Sequence, residues 1–238
     1  MARTALAMAL ILLAAALPAR AETCPQPSTP TATMTPAPRP DLRPDRQAAI
    51  RDALAARAYG AIALGDSIME GWSEQRLSRD LGMPVLDAGF GQDGTEHVLW
   101  RLQAPDWRRQ SPRIVLLLVG TNDIGYPACA IAWGIRTVAA KAQALFPQAR
   151  ILVTAILPRG TDMLGGDERI RAVNAALAAA AASAGFAFFD PHDAFLCGHH
   201  TPCPLFQPDL NLHLTARGYD ELDARLAAFL AGRGLEPR

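Results

Sequence analysis

The chain has 238 residues, half of them hydrophobic and 19% charged, with 23 basic and 23 acidic side chains that cancel. That much apolar chain can bury one real core, or at most two small ones. The absence of net charge argues against a nucleic-acid footprint, because a basic stripe would be expected to shift the balance.

Residues 1–21 carry Arg3, an uncharged run over 5–17, and then Ala19-Arg20-Ala21, a small-x-small cleavage site. This predicts a secretory signal peptide removed after Ala21, hence an exported, periplasmic or secreted protein. The apolar run is shorter than the roughly 20 residues that span a bilayer, so no stable membrane insertion is expected. No lipid-attachment box precedes Cys24. Residues 22–44 are rich in Pro and Thr and poor in large apolar side chains, and read as an extended or disordered leader. The folded domain is then expected over 45–238.

Four cysteines remain after cleavage: Cys24, Cys129, Cys197 and Cys203. In an oxidising compartment an even count invites disulfides. Cys197 with Cys203 would close a short loop, leaving Cys24 with Cys129. A zinc site from Cys197, His199, His200 and Cys203 is the alternative, although the spacing matches no standard structural site.

From residue 45 onward, short β-type runs alternate with longer helical ones. Strands are expected at 61–64, 84–87, 113–119, 150–156 and 186–189, and helices at 45–57, 94–102, 129–146, 167–184 and 215–231. Continuous apolar runs such as 114–119 suit parallel strands buried on both faces. The alternation predicts a single doubly wound α/β domain, a five-stranded parallel sheet between helices with right-handed crossovers. Gly185 is placed to end the alanine-rich fourth helix.

This organisation puts three loops at one sheet edge, where open parallel sheets hold their ligand crevice. Ser67 follows the first strand in Gly65-Asp66-Ser67, a glycine-rich turn over 89–94 follows the second, and Val119-Gly120-Thr121-Asn122-Asp123 follows the third. His213 stands just before the last helix. A serine hydroxyl needs a base within hydrogen-bond reach to become a nucleophile. The oxyanion formed on attack needs preorganised N–H donors. The chain supplies each part.

Taken together, GDSIMEGW, GFGQDGTEHVLWRL, VGTND and LHLTARGY resemble the SGNH, or GDSL-like, hydrolase superfamily, and the second block is most similar to its platelet-activating-factor acetylhydrolase branch. The resemblance runs from residue 61 to about 230. It implies a three-layer, flavodoxin-like domain. It implies Ser67 as nucleophile and, through its backbone N–H, one oxyanion donor, with Asn122 giving a second through its side-chain amide. His213 would be the general base and then the acid that protonates the leaving alcohol.

Two positions depart from the family pattern. Where the family has a glycine supplying an oxyanion N–H, this chain has Gln92 directly after Gly91. The Gln92 N–H can still serve if the turn does not require positive φ, and Gly91 is the fallback if the turn is shifted by one. The family's orienting aspartate stands three residues before the histidine, where this chain has Leu210; the nearest acid, Asp209, is four before. Either residues 208–211 bulge so that Asp209 reaches the His213 ring, or a backbone carbonyl orients it.

Other polar residues have plainer readings. Asp66 and Asp123 suit turn and loop support, and Asp190 suits a turn. His97 is expected half-exposed at the pocket mouth, and His192, His199 and His200 in a solvent loop pinned by a disulfide. Trp72, Trp100 and Phe90 are either an acyl pocket or core. Short connections leave no room for a large lid, which favours a short acyl group such as acetyl on a carbohydrate or other small ester. Lysophospholipid and thioester substrates, or a catalytically weak glycan or partner binder, are the competing readings. The chemistry calls for neither metal nor organic cofactor, and the oligomeric state is not legible.

Overall fold

The structure, a computed structural model, describes residues 24–39, 43–160, 167–197, 203–209 and 211–233. The expected signal peptide, His199, His200 and Leu210 lie outside the described residues. Five strands form one parallel sheet: β1 (Ala61–Gly65), β2 (Val85–Gly89), β3 (Ile114–Leu118), β4 (Arg150–Thr154) and β5 (Ala187–Phe189). Their order is β2-β1-β3-β4-β5. The chain reverses direction across the sheet after β2, so β1 and β3 are neighbours whose flanking helices lie on opposite faces; this is the switch point where such sheets bind ligands.

Among the described residues seven α-helices cover the sheet: α1 (Pro44–Ala56), α2 (Ser67–Gly71), α3 (Glu74–Leu81), α4 (Thr95–Arg101), α5 (Ala128–Leu145), α6 (Asp167–Ala184) and α7 (Ala216–Ala231). Strand alternation sorts the core into two layers. Ile62, Leu64, Val115, Leu117, Ile151 and Val153 face α1, α4, α5 and α6. Ala61, Ala63, Leu116, Leu118 and Leu152 face α2, α3 and α7. Helix α6 gives way to Gly185 at φ 76°, the left-handed stop its position suggested.

Two features differ from the sequence reading. Helix α3 was not expected, although its signals are local: Ser73 caps it by accepting the Arg76 N–H, Leu77 and Leu81 are buried, and Gly82 ends it at φ 63°. The Pro/Thr-rich stretch expected to be a disordered leader is packed over residues 24–39, so the folded unit begins before residue 45. Thr33 is fully buried and its hydroxyl donates to the Ala130 carbonyl at 2.6 Å, while Thr95 Oγ1 donates to the Thr33 carbonyl at 2.8 Å. Trp133 Nε1 donates to the Pro25 carbonyl, and the Ala37 N–H to the Glu96 carbonyl. Counting apolar side chains misses such a strap, because polar contacts and a covalent tie hold it.

That tie is Cys24–Cys129, and Cys197 is joined to Cys203. The sulfurs of Cys197 and Cys203 are therefore not available as zinc thiolates, which removes the metal alternative. Among the described residues no helix is long and apolar enough to cross a membrane.

Candidate active site

Strand β1 ends where its neighbour leaves no room for a side chain. A Cβ on Gly65 would lie 2.0 Å from the Leu118 carbonyl oxygen, so glycine alone lets β1 and β3 run together to the crevice. Asp66 then caps α2: its Oδ1 accepts the Ile68 N–H at 2.9 Å. Burial, opposed by that hydrogen bond, pushes the Asp66 carboxyl up to about 7. Ser67 opens α2, half-buried at the sheet edge, with Oγ 2.9 Å from His213 Nε2.

His213 is carried by a loop closed on itself. Phe206 and Leu214 form an antiparallel bridge, the Gln207 N–H donates to the His213 carbonyl at 2.8 Å, and the Thr215 N–H donates to the Leu205 carbonyl at 2.9 Å. Asn211 sits within it at φ 48°, and its amide donates to the Gly160 carbonyl at 3.0 Å. The loop brings the Asp209 carboxylate into hydrogen-bond contact with His213 Nδ1, and Asp209 Oδ1 also receives the Leu212 and His213 N–H groups at 3.4 Å. Burial works to raise the Asp209 carboxyl, but the bonds from the His213 ring and backbone outweigh it and hold it below the ordinary value. A carboxylate at Nδ1 requires a proton there, which leaves Nε2 bare to accept the Ser67 hydroxyl hydrogen.

A second set of residues, of which only Trp72 was singled out in the sequence, locks serine and histidine into one frame. Tyr219 Oη donates to the Ile68 carbonyl at 2.8 Å, and Trp72 Nε1 donates to Asp223 Oδ1 at 2.7 Å. Arg76 and Arg79 clamp the other Asp223 oxygen at 2.6 and 2.7 Å. Thus α2, which presents Ser67, is tied to α7, which follows His213. The only sequence hint is that Tyr219 and Asp223 stand four apart, flanking Leu222 on the buried side of α7.

On the other side of Ser67, residues 90–93 make a tight turn, closed by the Asp93 N–H on the Phe90 carbonyl at 3.1 Å. A Cβ built on Gly91 would lie 3.8 Å from Ser67 Cβ, so this turn lies beside the serine. Gln92 has φ 65°, the type II pattern that favours glycine. The condition that the turn avoid positive φ is therefore not met; glutamine adopts the left-handed conformation at a cost of about 1–2 kcal/mol. Its neighbours hold it there. The Gly91 N–H donates to Glu70 Oε2 at 2.8 Å, the Gln92 carbonyl accepts Arg39 Nη1 at 2.6 Å, and the Asp93 carbonyl accepts Asn122 Nδ2 at 2.9 Å. A hydrogen bond from a charged donor, at about 1.5–3 kcal/mol, is large enough to offset the backbone cost. The Gln92 N–H has no partner among the described residues.

The remaining polar residues are structural. Asp123 Oδ2 accepts the Thr95 N–H at 3.0 Å, and burial, reinforced by Glu96, pushes its carboxyl up to about 8. His97 Nδ1 accepts the Gly94 N–H at the start of α4. His192, expected in a solvent loop, is instead buried with Nδ1 2.8 Å from the Ile156 carbonyl oxygen, and Asp190 caps its N–H. Trp72 and Phe90 are buried and belong to the core, Phe90 beneath the Arg101 guanidinium at 3.4 Å, and Trp100 lies half-buried beside it.

Asp66 gives a pH test of this arrangement. Asp66 and Asp87, both raised by burial to about 7, keep protons in the folded chain that the unfolded chain releases near pH 4. Unfolding free energy should therefore fall as pH rises from about 4 to about 7. Asp66→Asn keeps the acceptor for Ile68 and should flatten the profile of Tm against pH; an unchanged slope would mean that Asp66 titrates normally.

Comparison with known proteins places this fold. The family model for GDSL-like lipases and acylhydrolases matches residues 63–221. The human platelet-activating factor acetylhydrolase IB subunit alpha1 is 33% identical over 174 residues, 71% of this chain and 74% of that protein. The fold is shared with a GDSL-like lipase from Bacteroides thetaiotaomicron, with TM-score 0.62 and 21% identity over 80% of this chain and 98% of that one. It is shared also with an acetyl-xylooligosaccharide esterase from Geobacillus, with TM-score 0.58 and 17% identity over 77% and 97%. The chain, with its serine-bearing turn at the switch point of a five-stranded parallel sheet, belongs to the GDSL-like lipase/acylhydrolase family.

Proposed function

We propose that the protein is an exported serine esterase that cleaves short acyl esters, acetyl foremost, from small molecules or carbohydrates through an acyl-enzyme. The observation that carries this reading is the Ser67 Oγ to His213 Nε2 contact at 2.9 Å, with Asp209 behind the ring. Ser67 Oγ bonds to the ester carbonyl carbon as its proton passes to Nε2. The carbonyl oxygen takes the negative charge and is met by the Ser67 and Gln92 N–H groups and the Asn122 amide. Collapse expels the alcohol, protonated by His213; water, deprotonated by the same ring, then releases the acid. Gly91 is disfavoured as the donor because its N–H is committed to Glu70.

Chain-length preference is supported by the short connections between the site motifs, which leave no room for a large lid over a long acyl groove. The acetylhydrolase named above points the same way. Export is supported by the two disulfides and by the Ala19-Arg20-Ala21 site. A panel of p-nitrophenyl esters from acetyl to dodecanoyl, with acetylated sugars, a lysophospholipid and an acyl thioester, tests the reading. We expect kcat/KM to fall at least about tenfold from acetyl to octanoyl, since each misfit methylene costs about 1–3 kcal/mol. Faster turnover of long acyl chains would overturn the short-acyl assignment, and no turnover of any ester would overturn the hydrolase.

A further inference from the structure

We infer that the N-terminal strap, residues 24–39, is a positioning element for the oxyanion side of the site, with Arg39 as its positioning residue. The inference rests on the esterase reading above. The strap lies outside the segment that matches the family, residues 63–221, so nothing in the shared hydrolase core calls for it. Its course has direction. It is anchored to α5 by Cys24–Cys129 and by Thr33 on the Ala130 carbonyl, and passes the first turn of α4 with the Ala37 N–H on the Glu96 carbonyl. It reaches the 90–93 turn through Arg39 Nη1 on the Gln92 carbonyl at 2.6 Å.

A second arm approaches the same turn. Arg43 Nη1 meets Glu70 Oε1 at 2.6 Å with Arg46 Nε at 3.7 Å, and the other Glu70 oxygen accepts the Gly91 N–H at 2.8 Å. With Asn122 on the Asp93 carbonyl, the turn is gripped on both sides of the peptide that carries the Gln92 N–H. The grip has a physical purpose. Glutamine at φ 65° favours relaxation to negative φ, which would turn the peptide that carries that N–H. Where the family's glycine needs no restraint, the glutamine here is restrained from outside the domain's shared core.

An oxyanion donor acts on the transition state and not on bound substrate, so displacing it lowers kcat more than it raises KM. For Arg39→Ala in the full, oxidised chain we expect kcat on an acetyl ester to fall about tenfold with KM within about twofold, less than the 100-fold or more lost when a donor is deleted. Arg39→Lys should recover part of the loss. Hydrogen exchange across residues 90–93 should quicken in Arg39→Ala and, more weakly, in Cys24→Ser. Unchanged kcat and exchange in Arg39→Ala, beside an active wild type, would overturn the strap's role, as would a rise in KM alone, which would make Arg39 a substrate contact. A wild type without Ser67-dependent hydrolysis would fail the esterase reading, and the exchange data would still decide whether the strap grips the turn.

Discussion

Ser67→Ala is expected to lower kcat/KM on acetyl esters by at least about a thousandfold while leaving the thermal midpoint within a few degrees. The removed atom is the group that His213 Nε2 contacts among the described residues, Ser67 Oγ at 2.9 Å. The stability argument is separate. The cap of α2 is the Asp66 carboxylate, and the helix is tied to α7 through the Ile68 carbonyl and Trp72, none of which uses the serine hydroxyl. Activity and folding are thus carried by different atoms, and the variant should separate them. His213→Ala should fall to a similar residual rate, because groups that act as a unit are not additive. Equal rates for Ser67→Ala and the wild type would leave the crevice as a binding site and end the esterase reading.

Asp209→Asn should lower kcat by about a hundredfold or more, with little change in stability. The carboxylate accepts the Nδ1 proton of His213. An asparagine that turns its NH2 toward Nδ1 instead favours the tautomer with the proton on Nε2, and that nitrogen can no longer take the proton from Ser67. The pair is more than a third exposed, so water can partly replace the lost acceptor. For that reason the fall is expected below the roughly 10⁴-fold seen when such an aspartate is deeply buried. The same exposure makes the ion pair a minor stability term, at most about 1 kcal/mol. Asp209→Asn with kcat within about threefold of the wild type would mean that another group orients the ring.

The candidate site was legible in part because three of its pieces are written locally. Ser67 and Asn122 each follow an apolar run that must be a buried strand, and His213 precedes a helix whose cap, Thr215, is visible as a residue type. The two departures could be seen but not resolved. The reach of Asp209 depends on a loop closed by the Phe206–Leu214 bridge with Asn211 in the left-handed region, and the conformation of Gln92 on an arginine 53 residues away. Helix α3 escaped notice although its cap and stop are local, because the stretch between the first two strands is mostly polar. Only two of its residues, Leu77 and Leu81, reach the core.

The sequence by itself determined the fold class, the alternation of strands and helices, and the family. Each of these follows from periodicity or from short motifs that a chain carries in one stretch, and the expected roles of Ser67, Asn122 and His213 come from the resemblance of those motifs. Only the tertiary structure decided that the Pro/Thr-rich segment packs against α5, that Tyr219 and Asp223 lock α2 to α7, and which polar group each backbone atom of the 90–93 turn meets. Those contacts join residues tens to more than a hundred positions apart. No local propensity encodes them, because their free energy exists only after the sheet has brought the partners together.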